Sequence, residues 1–432
     1  MIELAGSGNR SRMLVRMIDW LLDQSHRDMP TVPFFSEFCQ RLSDEGVPLA
    51  RVVAGLPAVH PQHFARGLEW TRSGDAREIT REHGILDTAL YRESPVALIH
   101  RTGVAIRRRL CDPATPMDFP ILHELKAEGI TDYLVMPLEF SRGVRAFISW
   151  SSDCPEGFTA DQLGVIYDIM PIVSLRLELR SAYRMAEDLL NTYLGSGAAR
   201  QVLSGTVQRG QGHRIRAAIW YCDLRDYTAM AERMRSHELI VTLDDFFECL
   251  AGPIQDHGGE VLKFMGDGLL AIFRLEDSAE GDEEAAAAAA CHRALSAVRA
   301  AFERLHVLNQ GRGIGGAPPL RLGLALHLGE VIYGNIGAQD RLDFTVIGPA
   351  VNTVARLEEL CKALNLPVLA SAEFAGAAGV PMQDMGSHPL RGLRRPLQVF
   401  AVPPEQLAGQ AARSSAATAA AEARVPLESA AG

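Results

Sequence analysis

The sequence predicts an α+β protein in which two domains are joined by a helical linker. At 432 residues the chain is longer than one hydrophobic core normally supports. Short apolar runs typical of strands alternate with amphipathic runs typical of helices in both halves of the chain. A long helical pattern, followed by a glycine-rich stretch, lies between the halves. We therefore predict an N-terminal domain at 1–160, a linker at 161–210, a C-terminal domain at 211–403 and a tail at 404–432.

The composition excludes several classes of protein. Hydrophobic residues make up 47% and charged residues 22% of the chain, as in globular domains. The net charge of -10, without a basic stripe, argues against nucleic-acid binding, which depends on neutralising phosphates. The chain shows neither an apolar run of the ~18 residues that a membrane span needs nor a signal-peptide pattern. Its seven cysteines are scattered and form no C-x-x-C pair, so we expect a reducing compartment and a cytoplasmic protein.

The N-terminal domain contains short patterns of both kinds. Strands are predicted at Leu49–Ala54, Gly67–Thr71, Val96–His100, Tyr133–Glu139 and Val144–Trp150. A helix is predicted over Phe119–Gly129, and the turn Ser141–Gly143 joins the last two strands. A single sheet with helices packed on it is common among small sensor domains, and in this outline the domain resembles a GAF-type sensor. We therefore expect a regulatory domain for an unknown small-molecule or protein signal.

The linker begins with a recognisable helix signal. Thr159 is followed three residues later by Gln162, the spacing of a capping box, and the helical pattern continues to about Leu194. Apolar residues fall on two heptad positions: Ile172, Leu179, Ala186 and Tyr193 on one, and Leu175, Ala182 and Leu189 on the other. This repeat predicts either a coiled coil or an ordinary amphipathic helix packed on its own domain.

The C-terminal domain is predicted to begin near Ile215. Strands are predicted at Ala217–Asp223, Glu260–Met265, Leu269–Arg274 and Leu397–Val402, with a further β pair formed by Leu320–His327 and Glu330–Ile336. Helices are predicted over Glu283–Leu308 and Ala350–Leu364. The turn Gly266–Gly268 closes a hairpin between two of the strands. The Ala-rich tail has little apolar bulk, so we expect it to be disordered.

Two aspartates occupy positions suited to metal binding. Asp223 ends a strand, and Asp267 lies at the tip of the hairpin between Gly266 and Gly268. A single aspartate at such a place is usually a turn or cap residue. Two carboxylates on neighbouring strand ends, however, suit Mg²⁺, which takes one or two carboxylates and completes its shell with water and phosphate oxygens. The flanking glycines allow the backbone to approach a metal or a phosphate closely.

Asn352 and Arg356 form a second candidate pair. Their spacing places both on one face of the helix predicted at Ala350–Leu364. Both are hydrogen-bond donors without general-base capacity, which suits contacts to a ribose and to a phosphate that gains negative charge. For an isolated pair, a solvated helix face is the commoner explanation.

The sequence resembles class III adenylyl and guanylyl cyclases in four ordered stretches: CDLRDYT, GGEVLKFMGDGLLAIF, LALHLGEVIYGNIG and DFTVIGPAVNTVAR. These stretches lie between about Ile215 and Val402, so the resemblance covers under half of the chain. It implies a ferredoxin-like, palm-type catalytic domain, an α/β sandwich that cyclises a nucleoside triphosphate as a homodimer.

The resemblance implies a role for each candidate residue. Asp223 and Asp267 would bind two divalent ions, Mg²⁺ or Mn²⁺, with the backbone carbonyl of Leu224 as a further ligand. Asn352 would position the ribose, and Arg356 would stabilise the transition state of in-line attack by the ribose 3′-hydroxyl. In this family the last two residues come from the opposite protomer, so a monomer would hold two incomplete half-sites.

Base recognition falls, by the same resemblance, to Lys263 and Thr345. The N1 atom of adenine accepts a hydrogen bond, which an ammonium group can donate, whereas guanine carries a proton there. Guanylyl cyclases of the family usually have Glu at the Lys263 position. Lys263 therefore predicts an adenylyl cyclase that makes cyclic AMP from ATP. Thr345 does not decide the choice, because a hydroxyl can serve either base.

The sequence departs from the family pattern at two places. Asp226 stands where glycine is common in the phosphate-binding loop, which adds negative charge near a triphosphate. Leu393 stands where many members have a phosphate-binding lysine; Arg391 or Arg394 is the expected replacement, and we assign Arg394. The alternatives to an adenylyl cyclase are a guanylyl cyclase and a catalytically silent nucleotide-binding or dimerisation module.

Overall fold

The computed structural model describes residues 3–61, 63–143, 145–276 and 282–407. The chain divides into two units, Met1–Thr192 and Tyr193–Gly432. Each unit is a β-sheet with helices packed on both faces, so the predicted α+β fold class is confirmed. No helix within the described ranges is long and apolar enough to cross a membrane.

The first unit has six α-helices and six strands among its described residues. The helices are α1 (Glu3–Leu22), α2 (Thr31–Asp44), α3 (Ala89–Arg92), α4 (Pro95–Thr102), α5 (Pro120–Ala127) and α6 (Ala160–Leu194). The strands are β1 (Arg51–Pro57), β2 (His63–Thr71), β3 (Gly74–Glu82), β4 (Ile106–Arg109), β5 (Asp132–Glu139) and β6 (Arg145–Ser152). They form one antiparallel sheet in the order β3-β2-β1-β6-β5-β4.

Side chains alternate between the two faces of this sheet. On β5, Leu134 and Met136 belong to the core formed with α1, α2 and α6. Tyr133 and Val135, on the other face, belong to the core formed with α4 and α5. The near-continuous burial of β5 follows from this arrangement, because helices cover both faces.

Four of the predicted strands of this unit are confirmed, with Val144 outside the described residues, but one is wrong. Val96–His100 lies inside helix α4. Ser94 caps this helix by accepting a hydrogen bond from the Ala97 N–H at 3.2 Å, Pro95 occupies the first turn, and Gly103 ends the helix at φ 69°. An apolar run this short fits either a helix or a strand, so the capping residues determine that it forms a helix.

Helix α6 begins where the sequence predicts a capping box. The Thr159 N–H donates to Gln162 Oε1 at 2.9 Å, and the Gln162 N–H donates to Thr159 Oγ1 at 3.3 Å. The first half of α6 packs into the core of the first unit through side chains that include Val165 and Val173. The predicted linker 161–210 is therefore not a separate segment, since its first half belongs to this unit.

Most of the predicted heptad residues of α6 lie on a different face of the helix, whereas Ile172 packs against the core of the first unit. Leu175, Leu179, Leu189 and Tyr193 are exposed by 63%, 47%, 38% and 79%. Helix α6 thus has one apolar face in the core of the first unit and a second apolar face in solvent.

The second unit has seven α-helices and eight strands among its described residues. The helices are α7 (Ser196–Leu203), α8 (Tyr227–Arg233), α9 (Ser236–Asp256), α10 (Glu283–Ile314), α11 (Pro349–Leu364), α12 (Ala372–Ala378) and α13 (Pro404–Leu407). The strands are β7 (Gly212–Leu224), β8 (Glu260–Met265), β9 (Gly268–Arg274), β10 (Leu322–Gly337), β11 (Leu342–Ile347), β12 (Val368–Ser371), β13 (Gln383–His388) and β14 (Leu397–Ala401). The sheet order is β13-β14-β12-β10-β7-β9-β8, and β11 also pairs with β10.

Two predictions for this unit are wrong. Leu320–His327 and Glu330–Ile336 are not two paired strands; most of both stretches lies in the single strand β10, which pairs with β7. Gly329 makes no turn; a Cβ there would lie 2.7 Å from the Ala350 Cβ, so this glycine admits α11 against the sheet. Pro404–Leu407 form helix α13 rather than disordered chain, and the rest of the predicted tail lies outside the described residues.

Strand β7 runs through the middle of this unit. Trp220 and Cys222 belong to the core formed with α9, α10 and α12, whereas Ala217 and Ile219 belong to the core formed with α11. Hydrophobic packing on both faces fixes the strand, and its polar C-terminal end is held at a defined place in the sheet.

Candidate active site

The two predicted metal-binding aspartates come together at one end of β7. Asp223 pairs in register with Gly268, the first residue of β9, and Asp267 occupies the turn just before it. The Leu224 N–H donates to the Asp267 carbonyl oxygen at 3.3 Å, which joins the end of β7 to the turn. Gly268 suits this close approach, since a Cβ there would lie 3.0 Å from the Cys222 carbonyl oxygen.

The carboxyl group of Asp223 perturbs that of Asp267. Burial, and after it the neighbouring Asp223 carboxyl group, raises the pKa of Asp267 to about 6. Two carboxylates side by side are unfavourable without a cation, and their hard oxygen atoms are the ligands that Mg²⁺ and Mn²⁺ prefer. The residues at the end of β7 therefore fit a divalent metal site, with the backbone of Leu224 beside them.

Helix α11 carries Asn352 and Arg356 on one face, as the sequence predicts. Asn352 is exposed, and the half-buried Arg356 pairs with Glu359 one turn further along the helix. Within the described part of the chain, neither side chain hydrogen-bonds to the two aspartates of the same chain. Each chain thus presents its aspartates and its α11 donors as two separate groups.

Lys263 and Thr345 lie on β8 and β11. Lys263 donates to Asp343 Oδ2 at 2.8 Å, and Asp343 shares one face of β11 with Thr345, two residues further on. Thr345 Oγ1 is buried and has no hydrogen-bond partner among the residues that the structure describes. A buried hydroxyl without a partner is costly, so a polar ligand that reached Thr345 Oγ1 would satisfy it. Asp343 is not among the residues predicted from the sequence, although strand alternation from Thr345 points to it.

A buried ion pair near the aspartates was not foreseen from the sequence. Arg225 Nη1 lies 3.0 Å from Glu358 Oε1. Burial raises the pKa of Glu358 to about 7, although Arg225 opposes the shift. No local pattern signals this pair, because its members lie on different elements that only the sheet topology brings together.

Comparison with known proteins identifies this unit. Residues 213–402 match the family model described as the adenylate and guanylate cyclase catalytic domain. The second unit carries a class III cyclase domain. The matched residues begin in β7 and end after β14, so they include every candidate residue of the site.

Proteins similar to the cyclase domain are named for both activities. An adenylate cyclase from Anabaena cylindrica is 32% identical over 163 residues, which cover 38% of this chain and 31% of that protein. The adenylyl cyclase CyaB from P. aeruginosa is 26% identical, with a TM-score of 0.39, and the match covers 45% of this chain and 96% of that one. The guanylyl cyclase Cya2 is 28% identical, with a TM-score of 0.38, and the match covers 46% of this chain and 98% of that one. The chain spans about a third of the length of the curated relatives that it matches.

The cyclase domain accommodates Asp226 by pairing it. Asp226 has a left-handed φ of 60°, a conformation that glycine adopts freely and aspartate tolerates. Its carboxylate accepts a hydrogen bond from Arg321, and both side chains are exposed. The extra negative charge at the start of α8 is therefore offset by a neighbouring guanidinium.

Asp226→Gly is expected to lower the KM for the nucleoside triphosphate by about two- to fivefold. The change removes a negative charge and leaves Arg321 available to the phosphates, and exposed charge interactions are worth up to about 1 kcal/mol. Arg321→Met is the matched control; it leaves Asp226 unpaired and should raise KM by a similar factor. KM is measured by steady-state kinetics at fixed ionic strength. A shift of KM in the same direction in both variants would contradict the expected opposite effects.

Arg394 remains a predicted phosphate ligand. Arg391 and Arg394 are exposed in the loop between β13 and β14, and the Leu393 N–H donates to the Leu390 carbonyl oxygen at 3.1 Å. The sheet order separates these two strands from β9 by β12, β10 and β7. No hydrogen bond or ion pair of the described residues joins Arg394 to the aspartates of the cyclase domain.

Proposed function

We propose that this chain is an adenylyl cyclase, which converts ATP to 3′,5′-cyclic AMP and pyrophosphate. The observation that carries the proposal is the pairing of Lys263 with Asp343 beside the unpartnered hydroxyl of Thr345. Asp343 holds the ammonium group at one place, where it can donate to adenine N1, whereas the N1 proton of guanine would repel it. The Thr345 hydroxyl can then accept a hydrogen bond from the 6-amino group of adenine.

The aspartates at the end of β7 and the donors on α11 have different roles in the proposed reaction. Asp223 and Asp267 would hold two divalent ions, Mg²⁺ or Mn²⁺, which lower the pKa of the ribose 3′-hydroxyl and stabilise charge on the α-phosphate. Asn352 binds the ribose and orients its 3′-oxygen. Arg356 donates to the α-phosphate oxygens while the 3′-hydroxyl loses its proton to water, the bond from the 3′-oxygen to phosphorus forms and the bond to pyrophosphate breaks.

We propose further that each active site is shared between two copies of the chain. The exposed Asn352 and the half-buried Arg356 make no hydrogen bond or ion pair with the aspartates of their own chain among the described residues, which supports this arrangement. A two-fold dimer pairs the aspartates of each chain with the α11 donors of the other and completes two equivalent sites.

The exposed face of α6 supports dimerisation of the full chain. Leu175, Leu179 and Leu189 lie on predicted heptad positions, and all three side chains are exposed. Two copies of α6 in parallel would bury these side chains against each other as a coiled coil. A signal bound by the first unit would then regulate the cyclase domain by changing how the two α6 helices pair.

The cysteines support the proposed cytoplasmic location. All seven are free thiols, and five of them are buried. Buried thiols without disulfide partners suit a reducing compartment.

The direct test is product formation by the purified full-length chain with ATP or GTP, in the presence of Mg²⁺ or Mn²⁺. We expect cyclic AMP as the main product. Preferential formation of cyclic GMP would make the chain a guanylyl cyclase. Binding of nucleotide without either product would make it a silent nucleotide-binding module.

Lys263→Glu tests base recognition. The variant is expected to lower kcat/KM for ATP relative to GTP by about 10- to 150-fold, because a hydrogen bond to a charged group is worth about 1.5–3 kcal/mol. Since Glu at this position would face Asp343, the double variant Lys263→Glu/Asp343→Asn should show the change more fully. Asp343→Asn alone is the control and should keep the preference for ATP. An unchanged ATP-to-GTP ratio in the double variant would contradict the proposed recognition.

A further inference from the structure

A buried ion pair links the end of β7 to α11 within the second unit. Arg225 follows β7 directly, and its Nη1 atom lies 3.0 Å from Oε1 of Glu358 on the buried face of α11. The two side chains are only 14% and 7% exposed. Charges at such depth are costly unless they face each other, so the pair fixes the position of α11 relative to the end of β7.

Strand β10 leaves room for the Arg225 side chain. Gly323 of β10 pairs in register with Asp223. A Cβ at Gly323 would lie 2.0 Å from Nη2 of Arg225, so the guanidinium occupies the space that a side chain would need. The Arg225 N–H also donates to the Arg321 carbonyl oxygen at 2.8 Å, which fixes the backbone from which the side chain starts.

The two ends of the ion pair adjoin different halves of the catalytic machinery. Arg225 is two residues after Asp223, and Glu358 is two residues after Arg356. In a dimer with shared sites, Asp223 serves one site and Arg356 of the same chain serves the other. We propose that the Arg225–Glu358 pair couples the two active sites of the dimer. The inference rests on the proposed sharing of sites.

The coupling has a simple physical route. Asp223 would hold metal and nucleotide, which would order the end of β7, and Arg225 would move with this backbone. Glu358 follows, because separation of the pair would leave a buried charge unpaired. Helix α11 would then carry Asn352 and Arg356 toward the second site as one rigid element. Coupling between sites typically changes affinity by about 5- to 150-fold.

Mixed dimers test the link through Glu358 and α11 on which this coupling depends. A chain with Asp223→Ala and a chain with Asn352→Ala form a dimer with one complete site. That site takes its aspartates from the Asn352→Ala chain and its α11 donors from the Asp223→Ala chain. Arg225→Met is then added to the Asp223→Ala chain alone. The altered position adjoins a dead metal site, so an effect on the complete site must pass through Glu358 and α11.

We expect Arg225→Met in that chain to lower kcat of the complete site by about tenfold, because a displaced α11 misplaces its donors at the reacting phosphate. The KM for the triphosphate should change little, because the metal-binding aspartates of the complete site lie in the other chain. Arg225→Lys keeps the charge and should retain most of the rate. Gly323→Ala displaces the guanidinium without removing it and should lower kcat as Arg225→Met does. Circular dichroism and gel filtration establish that each chain folds and pairs. If Arg225→Met does not fold, the kcat of the Gly323→Ala mixed dimer tests the coupling instead.

Two results would overturn the inference. If Arg225→Met and Gly323→Ala in the Asp223→Ala chain leave kcat of the complete site unchanged, the ion pair acts only within its own site. If the parent mixed dimer forms but is inactive while the wild-type dimer is active, the sites are not shared, and the coupling is excluded with them.

Discussion

The Asp223→Ala and Asp267→Ala variants are each expected to lose cyclase activity by about 10³-fold or more. Each substitution removes one of the two carboxylates that the structure places at the end of β7. Stabilisation of the transition state by bound metal is worth several kcal/mol, and each ~1.4 kcal/mol is a tenfold change in rate. Cyclic AMP formation should be measured at saturating Mg²⁺ and again at saturating Mn²⁺, so that weakened metal binding is distinguished from loss of the site.

The fold of these variants should be intact. Burial and the adjacent Asp223 raise the pKa of Asp267, which means that the ionised pair is unfavourable in the folded chain without a cation. Asp267→Asn, a nearly isosteric change, should therefore leave the Tm in the absence of metal unchanged or higher. Added Mg²⁺ should raise the Tm of the wild type and not that of the variant. Activity near that of the wild type in either Ala variant would rule out the metal assignment.

Local signals in the sequence predict much of this site. The Gly266–Gly268 turn predicts a hairpin, and the structure confirms it between β8 and β9. The end of an apolar strand predicts the position of Asp223. Asp223 and the hairpin turn come together because of the register of β7 against β9, which places Asp223 opposite Gly268. Sequence patterns fix the period of a strand, whereas its neighbours follow from packing of the whole sheet.

The wrong strand predictions share a physical cause. Val96–His100 and the two halves of β10 are short apolar runs, and a run of this length does not distinguish a helix from a strand, or one strand from two. The decisive information lies outside the runs. Ser94 starts a helix by capping it, and Gly329 admits a helix against the sheet rather than turning the chain.

Local sequence patterns do not predict contacts between residues that are distant in sequence. Lys263 and Asp343 are 80 residues apart, and Arg225 and Glu358 lie on elements separated by several others. The resemblance of the motifs indicates which residues carry the chemistry, but not which neighbours hold them. Those neighbours are set by the tertiary structure, so they are visible only when side chains are placed on the fold.

Sharing of the active site is expected to appear as recovery of activity in mixed dimers. Asp223→Ala homodimers lack a metal ligand in every site, and Asn352→Ala homodimers lack the ribose-positioning donor in every site. Loss of one such donor costs on the order of 10²–10³ in rate, so both homodimers should be nearly inactive. In the mixed dimer one site carries both lesions and the other carries neither.

The mixed dimer should therefore regain about half of the activity of a wild-type dimer, because two-fold pairing leaves one of its two equivalent sites intact. The two chains are mixed, allowed to exchange, and assayed for cyclic AMP against the amount of mixed dimer measured by crosslinking of differently tagged chains. A mixture of Asp223→Ala with Asp267→Ala is the matched control; both lesions lie in the same half of the site, so no site is complete and activity should not return. Equal recovery in the control would point to a contaminating wild-type activity. Absence of recovery in the first mixture, with mixed dimers present, would mean that each chain builds its own site.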